Sequence, residues 1–130
     1  MITTDQVGDP PVLFQWLQSK INQPWSEDVR CIGQMDGPRI VAVASFNGWR
    51  GDWAFINLAT DGILTRQVVR AVAGYAFRDC NLQTLYAIVS ADNHRVHRLL
   101  KQLRFKFSNK LGGNDELFFA EAVDCQRLLR

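Results

Sequence analysis

The chain has 130 residues, of which 47% are hydrophobic and 22% are charged, and its formal net charge is +2. This length suits one domain with one hydrophobic core, which we expect to span residues 1–130. The small net charge argues against a nucleic-acid-binding or membrane-surface protein. The sequence shows no apolar run of the roughly 18 residues that span a bilayer, and no signal-peptide pattern. We therefore expect a protein without membrane attachment.

The three cysteines, Cys31, Cys80 and Cys125, are odd in number and far apart, and none forms a Cys-x-x-Cys pair. Disulfide scaffolds and structural zinc sites use even numbers or close pairs of cysteines. We therefore expect reduced thiols, a cytoplasmic location and no metal site.

The N-terminal half of the sequence predicts one helix followed by three strands. The helix covers residues 10–22, because Pro10 or Pro11 suits a first turn and apolar residues then recur at helical spacing. A polar loop over residues 22–28 follows the helix. Strands are expected over residues 29–35, 39–46 and 53–59.

Turn signals separate these strands. Asp-Gly-Pro at 36–38 marks the first turn, and Asn-Gly at 47–48 with Arg-Gly-Asp at 50–52 marks the second connection. Residues 39–46 are almost continuously apolar after the first position, which is typical of a central strand buried on both faces.

The C-terminal half predicts two helices and three strands. The longest helix runs from about residue 61 to about residue 79, and a short amphipathic helix covers 94–103. The Gly-Gly pair at 112–113 predicts a hairpin between the last two strands. Strands are expected over residues 85–90, 105–109 and 116–122. This order predicts an α/β fold in which a mixed sheet carries helices on both faces.

Residues 85–107 combine a strand, a capping pair, a helix and a second strand. The Asp-Asn pair at 92–93 suits a helix start, and Phe105 and Phe107 alternate with a lysine as in a strand. This unit resembles the C-terminal half of the GCN5-related N-acetyltransferase (GNAT) family, which writes Glu-Asn-x-x-Ala-x-x-Leu-Tyr-Glu-Lys-Leu-Gly-Phe there. The element order is also similar from about residue 29 to 122. The resemblance implies a GNAT-like fold with a mixed, mostly antiparallel sheet and an abbreviated N-terminal part.

Three further segments resemble small GNAT-like proteins that bacteriophages encode. They are Leu-Thr-Arg at 64–66, Tyr-Ala-Phe at 75–77 and the stretch 117–126. This resemblance implies a phage or prophage origin, and therefore the host cytoplasm or a virion as the location of the protein.

The resemblance implies acetyl-coenzyme A as the cofactor. In the family, its pantetheine arm lies between the strand before the long helix and the strand after it, and pairs with their exposed main chain. Here these strands are 53–59, which ends at Leu58 and Ala59, and 85–90. Asn93 matches the family's Asn at the mouth of this slot, and it can also act as a helix N-cap.

The family binds the pyrophosphate of the cofactor at the start of the long helix, where unpaired N–H groups favour an anion. It writes Arg/Gln-x-x-Gly-x-Gly/Ala there. In this chain Gly62 stands for one glycine, Leu64 replaces the other, and Asp61 adds a negative charge. Thr65 and Arg66 compensate in part, through a hydroxyl and a charged side chain. The alternative role of Asp61 and Gly62 is a plain helix cap.

The acid and the base of the reaction match the family less well. The family's Tyr, which can protonate the leaving thiolate, aligns with Leu100. For the base, Asn57 could hold a water, and Asp52 lies at the start of the same strand. His94 and His97 share one helix face, and histidine is a natural base near neutral pH. The alternative for both histidines is an exposed position on a basic helix, and without a third ligand they make a poor metal site.

The resemblance implies transfer of an acetyl group from acetyl-coenzyme A to a primary amine, without a covalent enzyme intermediate. The acceptor would be a small molecule, a peptide or a protein such as a host protein, and a homodimer is common in the family. Two alternatives stay open: a catalytically inactive GNAT-like protein that binds a partner or lies inside a virion, and a nucleic-acid binder. The second alternative would use the basic residues Arg95, Arg98, Lys101 and Arg104.

Overall fold

The computed structural model describes residues 2–4, 11–62 and 65–129 of the chain. Its main elements, in chain order, are β1 (Ile2–Thr4), α1 (Val12–Gln18), β2 (Arg30–Asp36), β3 (Arg39–Arg50), β4 (Trp53–Thr60), α2 (Arg66–Ala73), β5 (Thr84–Ser90), α3 (His94–Gln102), β6 (Lys106–Lys110) and β7 (Asp115–Glu121). A π-helical segment, Gly74–Asp79, extends α2, and a 3-10 helix, Ala122–Leu129, follows β7.

Within the described residues, the strands form one seven-stranded sheet in the order β1-β2-β3-β4-β5-β7-β6. Neighbouring strands run antiparallel everywhere except at β4 and β5, which pair in parallel. A parallel pair needs a long crossover connection, and α2 with its π-helical extension supplies it. The sheet is therefore mixed and mostly antiparallel, which confirms the predicted fold class.

Helices cover both faces of the sheet. Since successive side chains of a strand point to opposite sides, neighbouring residues of one strand contact helices on opposite faces. On one face, Leu13 and Leu17 of α1 pack in a cluster with Val43 of β3. On the other face, side chains of α2 and α3 pack in a cluster with the next residue, Ala44. Both Val43 and Ala44 are buried, so the prediction of a central strand buried on both faces is confirmed.

The Asn-Gly pair at 47–48 does not form a turn, so this part of the prediction is wrong, whereas the connection predicted at Arg-Gly-Asp 50–52 is confirmed. β3 continues through both residues to Arg50, with an irregularity in its pairing to β4, and the chain turns at residues 51–52. Gly48 has a φ of 64°, and its N–H donates to the carboxylate of Asp28 at 2.8 Å. A bulge of this kind suits glycine, and here the N–H group of the glycine donates to a carboxylate that is distant in the sequence.

The long helix begins later than predicted. α2 starts at Arg66, and the hydroxyl of Thr65 caps it by accepting the N–H of Val68 at 3.4 Å. The predicted start near residue 61 is therefore wrong, and so is the alternative that residues 61–62 cap this helix. A threonine hydroxyl is a favoured N-cap acceptor, which explains the later start. The predicted end is confirmed, since the π-helical extension ends at Asp79.

The other elements lie close to their predicted positions. Strands β2, β4, β5, β6 and β7 and helix α3 begin and end within one residue of the predictions, a difference smaller than the usual uncertainty of element ends. Helix α1 is shorter than the predicted helix over residues 10–22, and residue 10 lies outside the described part of the chain. In the described residues, no helix is long and apolar enough to cross a membrane.

Candidate functional site

A cleft opens between β4 and β5, because the two strands pair over only part of their length. Their parallel pairing stops at Phe55 and Tyr86, although β4 continues to Thr60 and β5 continues to Ser90. The diverging ends line a cleft of about 670 Å³. Main-chain groups on the facing edges of the two strands are thus left for an extended ligand, as in recognition by strand addition.

The cleft has an apolar part and an amide-rich part. Its apolar residues include Ile56, Leu58, Ala87, Val89 and Val96. Its uncharged polar residues include Asn47, Asn57, Ser90 and Asn93, together with residues 22–23 of the loop after α1. Among the described residues, Asp115 is the only charged residue that lines the cleft. The electrostatic character of the cleft is therefore set by one carboxylate.

A smaller groove of about 230 Å³ continues from the cleft. The two spaces have Leu58 and Asn93 in both of their walls. Unlike the cleft, the groove carries positive charge, because the side chains of Lys20 and Arg95 line it together with Asp61. The two ends of this continuous space therefore differ in charge, and the groove is the end suited to an anion.

Contacts hold both cations of the groove in place. Lys20 Nζ lies 3.1 Å from Asp61 Oδ1, and Arg95 Nη1 donates to the carbonyl oxygen of Thr60 at 3.3 Å. Lys20 also lies over the ring of Trp16, 5.2 Å from its centroid. The negative charge that Asp61 adds to this loop is thus offset by a lysine from the turn after α1, which the sequence alone did not indicate.

Asn93 lies where the cleft and the groove meet. Its Oδ1 accepts the N–H of Val96 at 3.3 Å, which makes it the N-cap of α3 and confirms the capping role predicted for it. Because the cap uses Oδ1, the amide Nδ2 group is the part of this side chain suited to contact a ligand.

Asn57 is held by a neighbour that the sequence reading missed. Asn57 Nδ2 donates to Asn47 Oδ1 at 3.3 Å, and both side chains line the cleft. The bond uses the donor group of Asn57, so its Oδ1 is the atom suited to accept a hydrogen bond from a ligand or a water. In the sequence, only the position of Asn47 near β4 indicated that it could line the cleft. Because a glycine follows it, the pair was interpreted as a turn instead.

The loop that covers one side of the cleft is tied to β3 through Asp28. The carboxylate of Asp28 accepts hydrogen bonds from the Ser26 hydroxyl and the Gly48 N–H, and its carbonyl accepts Trp49 Nε1–H at 2.7 Å. The Ser26 bond, more than any other contact, lowers the pKa of Asp28 below the ordinary value of an aspartate. Asp28 is therefore ionised near neutral pH, and the stability it contributes is lost only as the pH falls through this lowered pKa.

No family model matches the sequence, and no curated protein matches it. Solved structures do match. Spermidine/spermine N-acetyltransferase SpeG from Vibrio cholerae, solved with manganese ions, is similar over 98% of this chain and 95% of that chain, with a TM-score of 0.73 and 11% identity. The N-acetyltransferase PseH from Campylobacter jejuni, in complex with acetyl coenzyme A, is similar over 74% of this chain and 70% of that chain, with a TM-score of 0.62 and 17% identity. The ribosomal-protein-S5-alanine acetyltransferase from Vibrio fischeri is similar over 75% and 64%, with a TM-score of 0.63 and 17% identity.

These neighbours are GNAT acetyltransferases, and for SpeG the likeness covers nearly the whole chain. The fold is the GNAT fold. At identities of 11% to 17%, the likeness establishes the fold alone, and the chemistry must be argued from the residues of the cleft.

Within this GNAT fold, only some of the residues predicted to bind the cofactor line the cleft or the groove. Those that line the cleft or the groove are Leu58, Ala59 and Asn93. Gly62 follows the groove, and its N–H donates to Thr60 Oγ1 at 3.3 Å. Thr65 and Arg66 are exposed at the start of α2, and Leu64 lies outside the described residues.

The residues predicted as bases are not all brought to the cleft. Asn57 lines it, whereas Asp52 is exposed in the turn at the paired end of β4 and β5. His94 is exposed on α3. His97 is half-buried, with Nε2 3.0 Å from the Ser90 carbonyl oxygen and 3.7 Å from Glu116 Oε1. The two histidines therefore differ in surroundings, and His97 contacts the end of β5.

The position of the family's Tyr is part of the core. Leu100 is 1% exposed and belongs to the cluster that α2 and α3 form on the sheet. Its hydrocarbon side chain offers no proton to a leaving group.

Cys125 is also buried, and burial raises the pKa of its thiol to about 11, so it is a neutral thiol at physiological pH. In the described residues, no group of three or more His, Cys, Asp or Glu side chains could hold a metal ion.

Proposed function

We propose that this protein is an N-acetyltransferase that moves an acetyl group from acetyl-coenzyme A to a primary amine. The observation that carries the proposal is the parallel β4–β5 pair, which stops pairing at Phe55 and Tyr86 and leaves main-chain edges along the cleft. The pantetheine arm of the cofactor carries two amides, and such edges suit them. The groove with Lys20 and Arg95 then receives the phosphates.

When bound, acetyl-coenzyme A supplies a thioester whose C–S bond breaks as the amine nitrogen forms the new C–N bond. The acceptor ammonium loses two protons in this reaction, one of which ends on the sulfur and the other in solvent. The chain orients these partners. Main-chain N–H groups beside the cleft polarise the carbonyl, and Asn57, fixed by Asn47, accepts a hydrogen bond from the amine or from a water.

The residue at the position of the family's tyrosine favours a slow enzyme rather than a fast one. With Leu100 in the core, the thiolate leaves without a tyrosine proton. A positioned general acid contributes roughly 10²- to 10⁴-fold to a rate, and this contribution is missing here. The thiolate is a fair leaving group, so transfer still proceeds through positioning and electrostatic stabilisation.

A calorimetric titration with acetyl-coenzyme A and coenzyme A tests the proposal. We expect saturable binding, and a melting temperature that rises with ligand concentration because the ligand binds only the folded state. Acetyl transfer to a panel of primary amines is then followed by release of the free thiol. Absence of binding at millimolar cofactor would contradict the proposal. A catalytically inactive GNAT-fold binding protein, of phage or other origin, would then better explain why position 100 is a leucine.

Replacing Asn93 separates its two roles. Asn93→Ala should lower the free energy of unfolding by about 1 kcal/mol, because α3 loses its N-cap. It should also weaken coenzyme A binding by roughly 2- to 10-fold, the effect of one neutral hydrogen bond. Asn93→Ser is the matched control, since serine keeps the cap but lacks the amide. We expect its stability in urea denaturation to be close to that of the parent and its binding to stay weak. Equal binding by all three proteins would exclude the ligand role.

A further inference from the structure

Asp115 is the one carboxylate of the cleft among the described residues, and the sequence reading placed it in a hairpin without a function. It is the cross-strand partner of Ser90, so both side chains lie on the same face of the β5–β7 pair. The adjacent Asn114 donates to Asp92 Oδ2 at 2.7 Å and to Ser90 Oγ at 3.3 Å. These bonds tie the start of β7 to the end of β5 and to the loop before α3, which holds Asp115 beside the cleft.

An apolar surface continues from Asp115 along the same face. Two residues before Ser90 on β5 lies Ile88, which is 48% exposed and lines the cleft beside Phe55. Its cross-strand partner is the half-buried Leu117. Because a strand rises about 3.3 Å per residue, the apolar surface begins about 7 Å from the carboxylate. A large aliphatic side chain left half exposed inside a cleft is suited to contact a ligand.

Aromatic rings extend this surface beyond Phe55. Phe55 and Tyr86 have ring centroids 5.9 Å apart, and Trp53 lies 5.3 Å from Tyr86 in an edge-to-face arrangement. All three side chains are half-buried and their rings pack against one another, so they form an apolar surface that is still partly exposed to solvent. The face therefore presents one negative charge followed by apolar groups.

We propose that the acceptor is a monoamine with an apolar body, whose ammonium is held by Asp115 and whose hydrocarbon part lies on Ile88 and Phe55. This inference rests on the transferase function proposed above and names the acceptor class of the same site. The ammonium and the carboxylate form a charge-assisted hydrogen bond. Because Asp115 is exposed to solvent, the ammonium that it holds can lose a proton to water before the nitrogen attacks the thioester.

The same arrangement disfavours a polyamine. A second ammonium would lie over Ile88 and Phe55, where the described residues offer it no carboxylate. Over the aliphatic side chain of Ile88, an ammonium loses part of its hydration without a partner, whereas a methyl group there gains from burial. The chain therefore differs in this respect from what the names of the spermidine acetyltransferases with the same fold would suggest.

The test compares hexylamine with 1,6-diaminohexane, which has the same length and a second charge. We expect kcat/KM for hexylamine to exceed that for the diamine by about tenfold or more, because the distal ammonium meets an apolar surface. From propylamine to hexylamine, kcat/KM should rise by up to about fourfold per methylene group. Equal or better use of the diamine, or no dependence on chain length, would overturn the proposal.

Three variants locate the site. Asp115→Asn should raise the KM for hexylamine about tenfold and leave kcat nearly unchanged. Ile88→Thr, which keeps a β-branched side chain, should weaken the dependence on chain length, with the contact to Phe55 left in place. Glu121→Gln, on the same face of β7 but at the far end beside Thr84, is the matched control and should change neither.

Binding measurements separate this proposal from the one on which it rests. Calorimetry of hexylamine with the protein–coenzyme A complex should show the same loss in Asp115→Asn, while coenzyme A itself binds all variants equally. If coenzyme A binds and Asp115→Asn still takes hexylamine as the parent does, the acceptor proposal alone is overturned. If coenzyme A does not bind the parent protein, the transferase function fails and the acceptor proposal fails with it.

Discussion

Coenzyme A should bind roughly 10- to 100-fold more weakly to the Lys20→Ala/Arg95→Ala double variant than to the parent protein. The two side chains are the cations that line the groove continuing from the cleft. Each can donate charge-assisted hydrogen bonds to a phosphate, and such bonds are about twice as strong as neutral ones. Isothermal titration at low salt measures the effect, and the parent should lose more affinity than the variant as salt is raised.

Two controls assign the loss to the phosphates. Pantetheine lacks the phosphates and the adenosine of the cofactor, so its affinity for parent and double variant should be equal. Arg98→Ala/Lys101→Ala removes two exposed cations from the same helix, α3, without touching the groove, and should bind coenzyme A as the parent does. An equal loss in both double variants would mean that only the overall charge of the protein acts.

The carboxylate of the groove provides a test of opposite sign. Asp61 lies 3.1 Å from Lys20, so it competes with a phosphate for this lysine. In the same titration, Asp61→Asn should strengthen coenzyme A binding by a few-fold, because the lysine is released and a like charge is removed. Weaker binding of Asp61→Asn would show instead that the carboxylate is needed to hold Lys20 in its working position.

Local signals in the sequence account for much of the fold. The Asp-Asn pair at 92–93 predicted the start of α3, and Asn93 does cap that helix. The Gly-Gly pair at 112–113 predicted the hairpin between β6 and β7, and Gly113 has a φ of 71° there. In both cases the decisive interaction joins residues that are close in sequence, so the residue types alone reveal it.

The errors in the sequence reading concern contacts between residues that are distant in sequence. Asn-Gly at 47–48 looked like a turn because a turn is its commonest use, but Asp28 satisfies the Gly48 N–H and keeps the segment in β3. Asp61 appeared unfavourable for a phosphate in the sequence because its partner, Lys20, lies about forty residues earlier, in the turn after α1. No pattern within a short window could show either pairing.

The candidate site was predicted in outline and missed in detail for the same reason. The resemblance located β5 and Asn93 because they belong to one continuous motif, and it located β4 through the order of the elements. Asn47 and Asp115 enter the cleft only through strand register, Asn47 beside β4 and Asp115 opposite Ser90. Register depends on the assembled sheet, so a residue in an apparent turn can become part of the site.

A tyrosine at position 100, where GNAT enzymes have their acid, should accelerate the proposed reaction. Leu100 follows Val96 by one helical turn, and Val96 lines the cleft, so a longer side chain at position 100 can extend toward it. We expect acetyl transfer by Leu100→Tyr to be about 10²-fold faster than by Leu100→Phe, because the phenol can protonate the leaving thiolate. Rapid-mixing measurements at saturating acetyl-coenzyme A and hexylamine follow the rate of this step.

Phenylalanine is the matched control because both variants place the same ring in a core position that is 1% exposed. Overpacking should lower the free energy of unfolding by about 1–3 kcal/mol in both, which urea denaturation measures, so the difference between them isolates one hydroxyl group. The advantage of the tyrosine variant should also vanish as the pH rises through the pKa of a phenol, about 10, since the ionised form has no proton to donate. Equal rates at every pH would mean that the hydroxyl does not reach the sulfur, and that the α3 of this protein is packed too closely on its core to accept the family's acid.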